Sequence, residues 1–361
     1  MSKILPLHAD TVGSYLRTEA LKQARVQFAN GEITREKLTE VEDHEIAKLV
    51  QDQLDAGIQV ITDGEFRRAF WHIDFLENLN GIEGYTPEHG YKFNGVETRA
   101  YNTRCCGKVS WNPEHPFIAH FKKLNQIVAG RGIVKYTIPS PNQLMYPIQW
   151  DTGVYPNREA FAKDVQQAYK EAIQAFYDAG CRYLQFDDVY WGSLCNNYLK
   201  PEFEADKAQA LENIQVVLAD KPAGMAITTH VCRGNFRSTY LLSGAYDPIA
   251  DALFAQTQFD GYFLEYDDER SGGFEPLKHF AGNKGRVVLG LVSSKFPTLE
   301  NKEVIKGRIQ DASQYVPLEQ LCLSPQCGFA STEEGNIMSE AEQWAKVRLV
   351  EEIAREVWGE D

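Results

Sequence analysis

Short apolar runs alternate with amphipathic stretches along almost the whole chain, and this alternation limits the folds that it can adopt. We count eight apolar runs that end in polar or Gly/Ser-rich residues: ILPLHADTVGS, IQVITDGE, IVKYTIPSP, CRYLQFDDV, AGMAITTHVC, GYFLEYDDE, RVVLGLVSS and QLCLSPQCG. The clearest stretches with helical periodicity are Thr34–Ala56, Arg158–Ala179, Ala205–Leu218, Asp247–Gln256, Asn301–Gln314 and Ser339–Val357. Eight strands, most of them followed by a helix, predict an α/β fold of the (β/α)8 or TIM-barrel type.

The main alternative is a doubly wound open sheet, which usually has fewer strands and a glycine-rich phosphate loop after the first strand. The chain contains neither G-x-G-x-x-G nor G-x-x-x-x-G-K-S/T, so the barrel is favoured. Local signals agree with alternating helices and strands. Gly57 and Gly180 each separate a helical pattern from an apolar run, as helix-ending glycines do. Ser339 and Glu342 form a capping-box pattern.

Residues 81–116 fit neither the strand pattern nor the helix pattern. This segment is rich in glycine, asparagine, proline and aromatic residues, and it follows the second apolar run. We interpret it as an insertion after the second strand, with a small hairpin near the mouth of the barrel. The predicted organisation is therefore a single catalytic barrel domain over residues 1–361 that contains this insertion.

The composition excludes several kinds of partner. The formal net charge is −14 over 361 residues, whereas nucleic acids and anionic membranes require a basic face. No apolar stretch reaches the roughly 18 residues of a transmembrane helix, and the N-terminal sequence lacks the features of a signal peptide. The seven cysteines are scattered through a chain too large to depend on disulfides. We therefore expect reduced thiols, a cytoplasmic location and small-molecule partners, with no nucleic acid and no membrane; a homo-oligomer is compatible with the sequence.

Polar residues collect at the ends of six of the eight apolar runs. In a (β/α)8 barrel the carboxyl ends of the strands converge on one face, and that face carries the active site. The sequence therefore predicts that these side chains meet. They are Gly13, Ser14, Asp63, Glu65, Asp187, Asp188, His230, Cys232, Glu265 and Cys327.

Four of these residues carry the donor atoms of a metal site. His230 and Cys232 are two positions apart at the end of a strand, so their side chains point to the same side. With Glu265 and Cys327 they supply one nitrogen, two sulfurs and one oxygen from three runs. Zinc accepts this mixed set in a tetrahedral arrangement, whereas magnesium and calcium require oxygen ligands. The alternative interpretation is a set of buried structural thiols and a solvated charged run around Glu265.

The same segments resemble the motifs of a known enzyme family. THVC, FLEYD and SPQCGF resemble the three zinc motifs of cobalamin-independent methionine synthase. TVGS, DGEFRR and LQFDDVYW resemble three further motifs of its catalytic barrel, and all six follow in the family's order from residue 8 to about residue 330. The long enzyme has a second, N-terminal barrel for which this chain has no room. The chain therefore resembles the short, single-barrel branch of the family.

The resemblance implies a cofactor, a substrate and a reaction. The residues implied to bind zinc are His230, Cys232, Glu265 and Cys327. Those implied to bind homocysteine are Gly13 and Ser14 at its carboxylate and Glu65 and Asp187 at its ammonium group. Zinc makes a bound sulfur a thiolate, which is a far better nucleophile than a thiol. The implied reaction is the transfer of a methyl group to homocysteine to give methionine, as in 5-methyltetrahydropteroyltriglutamate–homocysteine S-methyltransferase, with Glu265 as the ligand that the substrate sulfur replaces.

The methyl donor stays open. Val292 lies where the long enzyme has a histidine that is thought to protonate the leaving folate, and a tryptophan that contacts folate has no counterpart here. A methyl group on a tertiary amine leaves poorly unless the nitrogen is protonated. Asp188 is our candidate for the catalytic acid, with His8 and His72 as alternatives. A methylcorrinoid protein or a sulfonium as donor would need no acid.

Two other functions are weighed against this one. A related zinc barrel could alkylate another thiol, such as coenzyme M, but Glu65 and Asp187 favour an ammonium group, whereas a sulfonate would favour arginines. The alternative from a different class is a non-catalytic zinc-binding barrel. Structural zinc sites usually take their ligands from closely spaced Cys and His pairs, and the candidate ligands here include a carboxylate and come from three runs.

Overall fold

A computed structural model of the chain describes residues 4–359. The strands of this part are β1 (Val60–Ile61), β2 (Asn80–Tyr85), β3 (Lys92–Phe93), β4 (Val96–Glu97), β5 (Asn102–Ser110), β6 (Ile133–Val134), β7 (Tyr136–Pro139), β8 (Tyr183–Asp188), β9 (Ala226–Val231), β10 (Gly261–Glu265), β11 (Arg286–Val292) and β12 (Leu321–Pro325). Its α-helices are α1 (Glu19–Ala29), α2 (Arg35–Asp55), α3 (Ile73–Leu76), α4 (Pro116–Val128), α5 (Pro147–Trp150), α6 (Arg158–Asp178), α7 (Tyr190–Asn196), α8 (Phe203–Leu218), α9 (Lys302–Ala312) and α10 (Glu340–Trp358). Short 3-10 turns lie at Pro141–Met145, Asp247–Ile249, Glu269–Ser271, Glu275–Phe280 and Leu318–Gln320. A π-helical turn lies at Asp251–Ala255.

Parallel strands close into the (β/α)8 barrel that the sequence predicts. Six strands form one parallel sheet in the order β7-β8-β9-β10-β11-β12. β1 pairs in parallel with β6, which leads into β7 after a single residue. The N-terminal segment completes the ring, because Ala9 is bridged to Leu323 of β12 and Ser14 is bridged to Gly64 beyond β1. The carboxyl ends of all these segments therefore lie on one face.

The first apolar run differs from the strand that its pattern predicts. The backbone of residues 4–14 pairs with neighbouring segments only through isolated bridges, at Ala9 and Ser14. The carbonyl of Val12 accepts a hydrogen bond from Gln185 Nε2 at 2.8 Å, and the carbonyl of Gly13 accepts one from Thr62 Oγ1 at 2.6 Å. These side chains satisfy backbone groups that a strand would have paired with its neighbours. The segment keeps its place in the barrel without a regular ladder.

Most of the predicted helices form close to their expected bounds, namely α2, α6, α8, α9 and α10. The stretch Asp247–Gln256 forms a 3-10 turn and a π-helical turn instead of an α-helix. Gly57 and Gly180 follow α2 and α6 with φ of +89° and +101°, a region that glycine adopts without strain. Helices α1 and α4 were not among the predictions. No helix within residues 4–359 is long and apolar enough to cross a bilayer.

The segment predicted as an insertion lies against the mouth of the barrel. β2 and β5 form an antiparallel pair, and β3 and β4 form a short hairpin between them. The hairpin packs on the loop after β9, where the rings of Phe93 and Phe236 have centroids 5.4 Å apart. Asn94 N also donates a hydrogen bond to the carbonyl of Tyr240 at 3.4 Å. The insertion therefore adds a wall to the face on which the strand ends meet.

Candidate metal centre and substrate cavity

Four buried donor groups meet at the carboxyl ends of neighbouring strands. His230 lies in β9, Cys232 follows β9 directly, Glu265 ends β10, and Cys327 lies two residues beyond β12. One donor atom from each residue falls within 4.8 Å of all the others. The side chains that the sequence selected as metal ligands are therefore close enough to share one ion.

The geometry of this group fits zinc. The Cys232 and Cys327 sulfurs lie 3.6 Å apart, and two sulfurs on one tetrahedral zinc, each about 2.3 Å from it, would be about 3.8 Å apart. Among the described residues, neither ring nitrogen of His230 has a hydrogen-bond partner, although both are buried. A buried polar nitrogen without a partner is costly, and a cation between the four donors would remove that cost.

The pKa values of the two cysteines in this donor group favour a bound cation. The pKa of Cys327 lies well below the ordinary thiol value because Cys232 donates a hydrogen bond to its sulfur, and His230 reinforces the effect. The same hydrogen bond holds the pKa of Cys232 well above its ordinary value. One thiol therefore ionises readily, and the second needs a cation to do so.

Backbone amides orient two of the candidate ligands. The N–H of Arg233 donates to Glu265 Oε1 at 3.0 Å, and the N–H of Gly234 donates to the Cys232 sulfur at 3.3 Å. Such outer contacts fix the direction in which a ligand presents its donor atom. Sequence reasoning missed them because they come from a loop conformation and not from a residue type.

A cavity of about 500 Å³ opens beside the donor group. His230, Cys232 and Cys327 line it, whereas Glu265 is not among the lining residues. The same cavity is lined by Glu65 and Asp187, both almost fully buried. In the sheet, Asp187 is in register with His230 on the next strand. Carboxylates and sulfur donors therefore face one enclosed volume.

The two carboxyl groups are held in different ways. Glu65 Oε1 accepts hydrogen bonds from Arg68 at 3.2 Å and from Thr137 at 3.1 Å, while Oε2 is buried without a partner among the described residues. Asp187 Oδ1 accepts from Gln185 at 2.7 Å. Burial raises the pKa of both groups, that of Asp187 to about 7. An ammonium group in the cavity would favour their charged forms.

Gly13 and Ser14 lie next to this wall. Ser14 lines the cavity, and its Oγ accepts a hydrogen bond from Ala330 N at 3.3 Å. Gly13 has φ of +133°, and a Cβ there would lie 3.1 Å from the Thr137 side chain. Gly13 therefore shapes the turn behind Ser14 and does not itself line the cavity.

Asp188, the predicted catalytic acid, faces away from the cavity. Its Oδ1 accepts a hydrogen bond from Trp191 N at 3.0 Å, and its Oδ2 accepts from Asn142 at 3.2 Å. Successive side chains of a strand point to opposite sides, so Asp187 and Asp188 cannot both face the substrate. This geometry gives Asp188 no route to a leaving group, and the proposal below does not use it.

The two alternative candidates for the catalytic acid, His8 and His72, lie in different pockets. His8 lies at another surface pocket, next to Ala354 and Gly359, and its ring stacks on Trp358. His72 lines the main cavity, where its Nε2 is 3.1 Å from the hydroxyl of Tyr91. Burial lowers the pKa of His72 to about 3, so the ring is neutral near pH 7.

The fold and site together define a (β/α)8 barrel with a buried, sulfur-rich group of candidate metal ligands on the face where such barrels carry catalysis. The family model described as the catalytic domain of cobalamin-independent synthase matches residues 7–354. The chain therefore belongs to this family of methyltransferases, and the resemblance seen in its motifs is confirmed.

Sequence relatives span both short and long members. The uncharacterized protein YxjG of Bacillus subtilis is 49% identical, with 98% of this chain and 95% of YxjG covered. A methionine synthase of Saccharolobus solfataricus is 24% identical over 91% of this chain and 90% of its own length. A 5-methyltetrahydropteroyltriglutamate–homocysteine methyltransferase of Bacillus mycoides is also 24% identical, but only 41% of that longer protein is covered.

Two crystal structures show how widely the fold is shared. A Listeria monocytogenes protein, provisionally assigned as a vitamin-B12 independent methionine synthase, matches with a TM-score of 0.82 and 43% identity over 99% of this chain and all of its own. A B12-independent methionine synthase from Shewanella, in complex with selenomethionine, matches with a TM-score of 0.73 and 18% identity over 97% of each chain. At that identity the Shewanella likeness concerns the fold alone.

Proposed function

We propose that this protein is a zinc-dependent methyltransferase that methylates the thiol of homocysteine to give methionine. The observation that carries the proposal is that one cavity is lined both by sulfur and nitrogen donors of a metal group and by two buried carboxyl groups. A thiol-bearing amino acid presents complementary groups at its two ends.

The metal end of the cavity would activate the substrate. Zinc held by His230, Cys232, Glu265 and Cys327 would keep the substrate sulfur as a thiolate at neutral pH. The chain's own part is to hold the donors in place. The amide of Arg233 fixes Glu265, and we assign Glu265 as the ligand that the substrate sulfur would replace.

The other end would bind the amino-acid group. Glu65 and Asp187 would accept hydrogen bonds from the ammonium group, and such charge-assisted bonds are the strong ones. Glu65 has a free Oε2 for this purpose. Ser14, held next to them, would donate its hydroxyl to the substrate carboxylate.

The other functions fit less well. No lysine or arginine within residues 4–359 lines the cavity, as recognition of the sulfonate of coenzyme M would require. A structural zinc site would need no adjoining cavity of about 500 Å³. These observations favour the amino-acid thiol over both alternatives.

A cysteine variant tests the proposal. Cys327→Ser should lose bound zinc and lower methyl transfer to homocysteine by more than about 100-fold, because a neutral hydroxyl replaces a thiolate ligand. Cys181→Ser is the matched control, since Cys181 is buried elsewhere, with its sulfur 3.4 Å from the carbonyl of Tyr183. Metal analysis and thioether formation are measured for both variants against a panel of methyl donors. Full zinc content and full activity in Cys327→Ser would refute the assignment.

A further inference from the structure

One wall of the cavity is aromatic, and none of the described lining residues carries a guanidinium or ammonium group. We infer that this aromatic wall binds the methyl donor and that the donor is a sulfonium ion. The inference rests on the proposed methyl transfer and adds the chemical class of its second substrate.

Aromatic side chains from separate elements build this wall. Tyr91 and Phe93 come from the hairpin of the insertion, Phe70 and Trp71 from the link between β1 and β2, and Tyr146 from the loop after β7. The face of an aromatic ring attracts a nearby cation, most strongly where water is excluded. Such a wall suits an onium group with apolar substituents.

The charges around the cavity disfavour an anionic donor. Within the described chain, none of the lining residues is lysine or arginine. Arg68, next to the cavity, already donates to Glu65 at 3.2 Å and to the carbonyl of Trp71 at 3.3 Å. His89, at the rim, lies 3.5 Å from the carboxylate of Glu97. The carboxylates of a polyglutamyl pteridine would find no cationic side chain among the lining residues.

His72, the histidine that contacts Tyr91 of the aromatic wall, is not placed to protonate a leaving amine. Asn102 Oδ1 accepts hydrogen bonds from Thr103 N at 2.8 Å and from the hydroxyl of Tyr91 at 2.9 Å. The Tyr91 hydroxyl donates its only proton to Asn102. Its oxygen therefore accepts a hydrogen bond from Nε2–H of His72 at 3.1 Å. His72 Nδ1 is then unprotonated, and it is buried without a partner among residues 4–359. The one ring proton of His72 is held in the hydrogen bond to Tyr91, so the ring offers no proton to a leaving group.

A sulfonium donor needs no acid. The thiol proton of homocysteine is lost when its sulfur becomes a thiolate. The thiolate then forms a bond to the methyl carbon while the bond between that carbon and the donor sulfur breaks. The electron pair of the broken bond stays on the donor sulfur, which leaves as a neutral thioether. The two products are methionine and this thioether, and no proton is transferred in the step.

The test compares two ligands that differ in charge alone. S-methylmethionine carries a dimethylsulfonium group, and 2-amino-5-methylhexanoic acid carries the same shape in carbon. Both are titrated by calorimetry into the zinc-loaded protein in the presence of saturating methionine, which occupies the proposed homocysteine site. We expect the sulfonium to bind about five-fold more tightly, as a favourable cation–π contact would give. Equal binding, or tighter binding of 5-methyltetrahydrofolate triglutamate, would overturn the inference.

Variants of Phe93 test whether the aromatic wall causes the preference for the sulfonium over its neutral analogue. Phe93 is partly exposed on a short hairpin, so its replacement spares the core. Phe93→Leu keeps an apolar side chain without a ring and should reduce the preference below about two-fold, whereas Phe93→Tyr should keep it. A preference that is unchanged in Phe93→Leu would place the sulfonium elsewhere and refute the inference.

A transfer assay separates this inference from the proposed function. Methylation of homocysteine by methyltetrahydrofolate or methylcobalamin, but not by S-methylmethionine or S-adenosylmethionine, would leave the proposed function intact and refute the sulfonium. Conversely, the expected sulfonium preference in a protein that does not bind homocysteine would refute the proposed function alone.

Discussion

Burial decides the protonation of individual histidines. Desolvation lowers the pKa values of His72, His115 and His120 to about 3, 4 and 4. These rings stay neutral in the folded protein at pH values where an unfolded histidine, with a pKa of about 6.5, is charged. Folding is therefore opposed by protonation of the unfolded chain as the pH falls below about 6.5.

This linkage predicts acid sensitivity that a neutral substitution relieves. Between pH 7.5 and 5.5 the unfolded state gains a proton at residue 72 that the folded state does not bind. The free energy of unfolding should therefore fall by about 1.4 kcal/mol more in the parent than in His72→Gln. Urea titrations at both pH values measure the difference. His44→Gln, at an exposed position, should behave like the parent, and an equal loss in His72→Gln would contradict the prediction.

At the scale of elements, helix ends follow local sequence rules while the first barrel segment does not. The capping box of α10 forms as predicted, with Glu342 N donating to Ser339 Oγ at 3.2 Å and Ser339 N donating to Glu342 Oε2 at 2.7 Å. These contacts join residues three positions apart. Residues 4–14, in contrast, are fixed by side chains from distant strands, so their pattern could not reveal their final conformation.

Removal of the cap should weaken α10 by a modest amount. Ser339→Ala leaves the Glu342 amide without its acceptor and should lower the free energy of unfolding by about 1 kcal/mol. Chemical denaturation measures the change. Thr39→Ala removes a half-buried hydroxyl within α2 that donates only to the carbonyl of Arg35, one turn earlier in the same helix, and should change stability by less than about 0.5 kcal/mol. A Ser339→Ala loss no larger than that of Thr39→Ala would show that the box does not stabilise the fold.

At the scale of the whole molecule, a buried ion pair crosses the interior of the barrel. Lys135 Nζ lies 2.8 Å from Asp10 Oδ1 and 3.2 Å from Gln185 Oε1, and both charged side chains are completely buried. Lys135 is the residue between β6 and β7. Burial raises the pKa of Asp10 and lowers that of Lys135, and each charge opposes this shift in the other. The pair connects the irregular first segment, residues 4–14, to the junction between β6 and β7.

Loss of one partner should therefore destabilise the barrel strongly. Lys135→Met leaves the Asp10 charge buried without compensation and should cost about 3–5 kcal/mol of unfolding free energy. Adding Asp10→Asn should recover part of the loss, because it removes the unpaired charge. Lys170→Met breaks an exposed pair with Asp220 and should cost less than about 1 kcal/mol. Equal effects of the two lysine substitutions in denaturant titrations would contradict the buried pair's role.

The sequence by itself determined the alternation of eight apolar runs, the helix ends at Gly57 and Gly180, and the identity and order of the four candidate metal ligands. These features are local, because strand period, helix caps and residue chemistry depend on neighbours along the chain. Only the tertiary structure decided that Asp187 faces the cavity while Asp188 faces away, and that aromatic rings from the insertion cover the metal group's cavity. Those outcomes depend on which distant segments pack together and exclude water, and no local pattern records that packing.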